Sequence, residues 1–204
     1  MSAELRAFLS QPVLVVAPSL IGWTLTRRTP EGTVSIELTE VEAYDGQNDP
    51  ASHAWRGRSP RNAVMFGPAG RLYVYLSHGL HYCANVVTGT EGQASAVLLR
   101  AGRVVEGSSL AQIRRGGPGV PERSLARGPG SLGQALALTR EDNGADLLGG
   151  GAFTLRPPTG PPRPISSGPR VGVSRASDWP WRYWATGDPT VSAYRRSKRA
   201  VGSG

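Results

Sequence analysis

Apolar and polar positions alternate with a period of two over much of this chain, and with a helical period in only a few places. Thr24 to Arg28 and Val34 to Tyr44 read as two strands around Thr29-Pro30-Glu31-Gly32, a hairpin signal. Leu72 to Ser77 and Tyr82 to Val87 are β-branched and aromatic runs on either side of His78-Gly79-Leu80-His81, which predicts a second hairpin; Ala96 to Val105 continues as another strand. Successive strands of this kind favour an antiparallel sheet. Leu14 to Gly22, Leu110 to Arg115 and Gly130 to Leu138 have helical spacing, with Pro129 where its fixed φ suits a helix start. Residues 45 to 70 carry little periodicity and read as a long loop with one helical turn, a length at which ordered loops tend to be functional. Residues 149 to 168 read as a Gly/Pro-rich connection with a strand at Phe153-Thr154-Leu155, followed by short terminal strands at Val171-Gly172-Val173 and Tyr183-Trp184-Ala185. The pattern predicts a single α+β domain over residues 1–194 and a disordered basic tail over 195–204.

Alternation also sorts side chains onto faces. Glu40, Glu42 and Tyr44 fall on one face of their strand, with Val41 and Ala43 on the other. Two carboxylates on one face raise the pKa of at least one of them unless a cation intervenes, which is the environment of a general base; a solvated strand face is the plainer alternative. In the second hairpin Arg71, Tyr73, Tyr75 and Ser77 share a face opposite the core-like Leu72, Val74 and Leu76. Those tyrosines could stack a flat ligand, or could simply pack under a neighbouring element.

Composition narrows the chemistry. The 204-residue chain carries 23 Lys plus Arg against 15 Asp plus Glu, a formal net charge of +8, which points to a polyanionic partner, nucleic acid first and anionic membrane second. Lys198 is the only lysine, so no pocket lysine is placed to form a Schiff base. A single cysteine, Cys83, rules out an intrachain disulfide and any multi-cysteine metal site. His78 and His81 with His53 or Glu42 read better as polar turn residues than as metal ligands, so no metal or other cofactor is expected. The apolar stretch Leu14 to Leu20, broken at Pro18, is too short for a bilayer span and lacks signal-peptide form, which predicts a cytoplasmic protein with no membrane partner. The loop around His53 holds Arg56, Arg58 and Arg61, whose guanidinium forks suit phosphate oxygens, and Arg127-Gly128-Pro129-Gly130 opens a helix without matching a nucleotide-binding spacing.

Taken in order, Glu40-Val41-Glu42-Ala43-Tyr44, Ser52-His53, Pro60-Arg61-Asn62, Met65-Phe66, Leu72-Tyr73-Val74-Tyr75, Tyr82-Cys83-Ala84-Asn85 and Val97-Leu98-Leu99-Arg100-Ala101 resemble the alkyladenine (3-methyladenine) DNA glycosylase family. The resemblance runs from about Ala17 to Ser192 and includes Arg170-Val171-Gly172-Val173. It implies a curved antiparallel sheet with surrounding helices and a protruding hairpin that enters DNA, and a monofunctional enzyme, acting as a monomer on double-stranded DNA, that flips a damaged purine and leaves an abasic site. By position it makes Glu42 the water-activating carboxylate and Arg100 its partner. It puts Tyr44 and His53 on one wall of the base pocket and Tyr75 on the other, with Asn85 disfavouring the amino group of normal guanine. At the hairpin tip the family commonly has a tyrosine wedge; here it is His78, and Leu80 is expected to share the role. If Tyr75 and Asn85 face one pocket, the hairpin must pair them across strands, which requires an odd loop centred on Leu80 or an equivalent bulge; a plain two-residue turn at Gly79-Leu80 would put them on opposite faces. Two other readings compete: a non-catalytic DNA- or RNA-binding module using the same basic surface, and a related hydrolase acting on deaminated purines or free nucleosides.

Overall fold

The computed structural model describes residues 2–200. In chain order its helices and strands are α1 (Ser2–Leu9), α2 (Val13–Ser19), β1 (Thr24–Thr29), β2 (Gly32–Tyr44), β3 (Leu72–Ser77), β4 (His81–Val87), β5 (Ala96–Glu106), α3 (Ser108–Arg114), β6 (Ala126–Arg127), α4 (Pro129–Ala135), β7 (Phe153–Arg156), β8 (Ile165–Gly168) and β9 (Arg182–Ala185). The fold is α+β: one open antiparallel sheet in the order β3-β4-β5-β2-β1-β7, with β6 on β5 and the β8–β9 ribbon on β2.

The long strand β2 organises the molecule. Over residues 32–37 it pairs with β1, and over 40–42 it pairs with β9 instead, so its C-terminal half lies between β5 and β9. Leu25, Val34, Ile36, Leu38, Val41 and Leu99 are fully buried with Leu9, Val16 and Leu20 from the first two helices and Leu132 and Leu136 from the α4 region. That apolar layer is the main driving force for folding. A smaller cluster of Ala54, Met65, Tyr73, Val87 and Ala96 lies under the 45–70 loop, which holds two short 3₁₀ turns, at residues 46–48 and 63–66.

The structure departs from the sequence-based expectations in several places. Residues 2–9 form a helix, and residues 165–168 form a strand inside the stretch read as plain connection. Val171 to Val173 form no strand, because their polar groups serve other partners described below. The second hairpin pairs Tyr75 with Cys83, Tyr73 with Asn85 and Ser77 with His81, so its loop is odd but centred on Gly79 rather than Leu80. His78 and Gly79 both take positive φ, and Leu80 N–H donates to Ser77 O at 3.0 Å, which fixes that register. An odd loop keeps residues 73, 75, 83 and 85 on one face, so Tyr75 and Asn85 share a face without pairing directly. The disordered tail expected over 195–204 falls partly on residues 201–204, outside the described residues; residues 195–200 have no helix or strand.

Helix α4 lies on β4 so closely that a Cβ on Gly133 would stand 2.0 Å from the Tyr82 carbonyl oxygen. Backbone on both sides leaves no flexible group to give way. Replacing Gly133 with Ala is therefore expected to cost about 1–3 kcal/mol, as overpacking does, and to lower Tm by several degrees in a thermal melt. An unchanged Tm would show that α4 does not lie this close.

Candidate active site

Where β2 runs between β5 and β9, two carboxylates are buried side by side with an arginine arriving from each flanking strand. Glu40 and Glu42 have no exposed side-chain surface. The register of β2 on β5 shifts by one residue between Glu42–Leu98 and Glu40–Ala101, a β-bulge that leaves Arg100 as the extra residue. From there Arg100 Nε donates to Glu40 Oε1 at 2.8 Å, while its Nη1 stands 3.3 Å from Glu42 Oε1. Arg182 of β9 donates from Nε to the same Glu40 oxygen at 2.7 Å. Ser192 adds its N–H at 2.7 Å and its hydroxyl at 2.9 Å.

These contacts give the two carboxylates different chemistry. Burial works to raise the Glu40 pKa, but the charges of Arg100 and Arg182 and the Ser192 hydrogen bonds outweigh it and hold the carboxyl below its ordinary value. With four donors on its two oxygens, Glu40 is an ionised anchor and not the base. The cation between the carboxylates is therefore Arg100, and the raised pKa expected of a like-charge pair is not found at Glu40. Arg100 itself is desolvated, yet Glu42 and Glu40 raise its pKa and keep it charged.

Glu42 faces a cavity of about 800 Å³, within the range of small-molecule sites. Its Oε2 accepts the Tyr44 hydroxyl at 2.8 Å and its Oε1 the Val171 N–H at 2.7 Å. Burial, reinforced by the Glu42 charge, pushes the Tyr44 hydroxyl well above its ordinary pKa, so it remains a donor. Arg170, fully buried, forms a two-pronged ion pair with Asp49 and donates to Ala43 O at 2.9 Å. Its guanidinium lies 4.7 Å from the centre of the Tyr44 ring and 5.2 Å from that of Trp181. One buried cation thus fixes the Tyr44 ring, the loop at Asp49 and the start of the segment whose next residue caps Glu42.

Tyr73 and Tyr75 line the other side of the cavity with His53. His53 stands edge-on to Tyr75 with ring centres 4.5 Å apart, and its Nδ1 is 3.1 Å from the Tyr73 hydroxyl. No flat ring fits in that gap. His53 therefore belongs to the Tyr75 wall, a correction to the sequence-based expectation that it shares a wall with Tyr44. Although His53 opens onto the cavity, burial of its ring among these groups, followed by the nearby Arg61 charge, lowers its pKa from 6.5 to about 4. Folding thus disfavours the imidazolium: His53 contributes to stability above about pH 6.5, and the contribution is lost as pH falls toward 4. Between pH 5 and 8 the rate of any reaction in the cavity should show no His53 ionisation, so a His53→Gln variant should keep the wild-type profile shape. An inflection near pH 6.5 that vanished in that variant would contradict a ring that stays neutral over this range.

Asn85, nearly buried, donates its amide to Tyr73 O at 3.0 Å and lines the same cavity. The cavity wall also includes Arg61, His78 and His81, together with Pro129-Gly130 and the segment Val171 to Arg175. Leu80 projects at the hairpin tip with 73% exposure. Arg56 and Arg58 are exposed outside the cavity lining.

Residues 7–189 match the family model of methylpurine-DNA glycosylase. The chain belongs to that family. It is 50% identical over 194 residues to a Streptomyces avermitilis protein named as a 3-methyladenine DNA glycosylase, covering 93% of this chain and 91% of the relative. Proteins of the same name from Frankia casuarinae, at 50% over 94% of this chain and 93% of theirs, and Corynebacterium glutamicum, at 49% over 91% and 94%, are similarly close. The methylpurine-DNA glycosylase assignment makes the chain a DNA-repair hydrolase of N-glycosidic bonds. No helix among the described residues of this glycosylase is long and apolar enough to cross a membrane.

Of the residues singled out in the sequence, the structure gathers Glu42, Tyr44, His53, Arg61, Tyr75, His78, Asn85 and Arg100 around one cavity. The sequence reading missed the supporting roles of Asp49, Arg170, Arg182 and Ser192. In a chain with 23 basic residues, nearly all arginine, nothing marks two of them as buried. The one usable signal for Arg170 was its place among the motifs shared with the family.

Proposed function

We propose that this enzyme extrudes a damaged purine nucleotide from duplex DNA into the cavity and hydrolyses its N-glycosidic bond with Glu42 as general base. The observation that carries this reading is the asymmetry of the two carboxylates. Glu40 is saturated by four fixed donors, while Glu42 meets the cavity, with the Tyr44 hydroxyl on one oxygen and the Val171 N–H on the other.

A flat base entering between Tyr44 and the Tyr75–His53 wall stacks on aromatic faces. The attacking water enters from the cavity that Glu42 lines and meets its carboxylate there, with Tyr44 held in place beside it. Glu42 then takes a proton from that water as it attacks the sugar C1′, and the purine departs from the opposite side, as in inverting glycoside hydrolysis. Arg100 holds the Glu42 carboxylate in place and keeps its charge compensated. Asn85, fixed through Tyr73, disfavours the exocyclic amino group of normal guanine. The β3–β4 hairpin enters the gap left by the nucleotide with His78 and Leu80 at its tip, and Arg56, Arg58 and Arg61 contact the phosphate backbone. Without a pocket lysine the product is an abasic site and the strand stays intact. The enzyme acts as a monomer in the cytoplasm, associated with the nucleoid through DNA.

The substrate class embraces alkylated and deaminated purines: 3-methyladenine, 7-methylguanine, 1,N6-ethenoadenine and hypoxanthine. Four duplexes, each carrying one of these bases, test it by release of free base under single-turnover conditions. Release of at least the two methylated bases is expected; release of none, with binding intact, would favour a non-catalytic DNA-binding module.

A further inference from the structure

Half of the formal net charge of +8 comes from Arg195, Arg196, Lys198 and Arg199, and no acidic residue follows Asp188 in the sequence. A short basic tail can be an inert solvated end. Here its root is built into the molecule. Thr190 meets Thr39 through hydroxyls 2.7 Å apart, Ser192 N–H donates to Glu40, and Arg127 Nε donates to Val191 O at 2.8 Å. Arg182, which also anchors Glu40, donates to Ser192 O at 2.9 Å. Beyond these anchors the Arg195 carbonyl accepts the Gly172 N–H at 3.0 Å.

That last bond sets the direction of the tail. Gly172 lies in the segment Val171 to Arg175 that lines the cavity, so the chain emerges at the cavity wall and not at a remote surface. All four cationic side chains of residues 195–199 are exposed, and so is Arg175 in the lining segment. A nucleotide entering the cavity brings its flanking phosphates to this rim, where a run of cations releases condensed counterions from the duplex.

We propose that residues 195–199 form a strap that contacts the DNA phosphate backbone beside the cavity, adding salt-dependent affinity without taking part in chemistry. The inference rests on duplex DNA being the substrate. Its test is the full chain carrying Arg195→Ser, Arg196→Ser, Lys198→Ser and Arg199→Ser together, compared with wild type. Fluorescence anisotropy measures binding to an undamaged duplex between about 50 and 200 mM salt, the range over which phosphate contacts register. Each phosphate contact contributes about 0.9 to the slope of log affinity against log salt. Loss of three or four contacts should therefore make the slope shallower by about 3 and weaken low-salt binding at least tenfold. The rate of base release at saturating enzyme, and the melting temperature, should stay within about twofold and a degree or so of wild type.

An unchanged salt slope overturns the strap. So does a variant whose saturating rate collapses at an unchanged melting temperature, which would make the tail part of the site. An unchanged slope with lost binding to anionic phospholipid vesicles would reassign the tail to a membrane surface. Failure of wild-type enzyme to release any base would instead count against the proposed function, and would leave the salt slope readable on its own.

Discussion

Substituting Glu42 with Gln is expected to lower single-turnover base release by about 10²–10⁴-fold, the contribution typical of a positioned general base, while duplex binding persists. The amide keeps the shape of the side chain: its oxygen can still accept the Val171 N–H, and its NH2 group can donate to the Tyr44 hydroxyl oxygen in place of the bond that Oε2 accepts in the wild type. It cannot take a proton from water. Arg100 loses one of its two carboxylate partners but retains Glu40, so the cluster should remain folded. Quantifying free base and duplex affinity on the same preparation separates chemistry from binding. Release at the wild-type rate would remove Glu42 from the mechanism.

Replacing Arg170 with Ala should produce the largest loss of stability in the molecule short of deleting a core element. Arg170 and Asp49 are both without exposed surface, and removal of one partner leaves an uncompensated buried charge, a cost of about 3–5 kcal/mol. At about 2–4 °C per kcal/mol for a chain of this size, Tm should fall by roughly 6–20 °C. Ala43 O would lose its donor, the Tyr44 ring its backing, and the segment that brings Val171 N–H to Glu42 its anchor. Lysine should rescue poorly, because a point charge cannot reproduce the fork on both Asp49 oxygens. The double variant Arg170→Met/Asp49→Asn should recover part of the stability, since no charge is then stranded. Thermal melts of the three variants check the order; an Ala variant as stable as wild type would contradict the buried pair.

The fold was legible where alternation is strict. The strands around residues 24–44, 72–87 and 96–105 follow from side chains that must sort onto two faces, and the structure places them within a residue or two of those bounds. Val171 to Val173 misled because β-branched residues suit a strand, yet the Val171 N–H is spent on a buried carboxylate instead of a ladder. An odd hairpin loop follows from the requirement that Tyr75 and Asn85 share a face. Its centre was not legible, because two consecutive positive-φ residues, His78 and Gly79, set it one position earlier.

The site was legible in its first ring of residues and not in its support. Alternation put Glu40 and Glu42 on one surface but could not say which was free, since that depends on Arg182 and Ser192 arriving from about 140 and 150 residues further along the chain. The bulge that turns Arg100 toward both carboxylates has no local sequence mark; only the ordered family motifs pointed to it. His53 was placed on the wrong wall because sequence order says nothing of a ring contact set by the Tyr73 hydroxyl.

Hydrolytic removal of a damaged base without strand cleavage can be read on a single duplex. Wild-type enzyme in excess is incubated with a duplex carrying a single 7-methylguanine; free base is quantified, and strand integrity is read before and after alkali. Free base is expected in an amount equal to the strands that break, with breakage only after alkali. A duplex that stays intact after alkali would rule out base removal, and one that is cut before it would rule out a monofunctional enzyme.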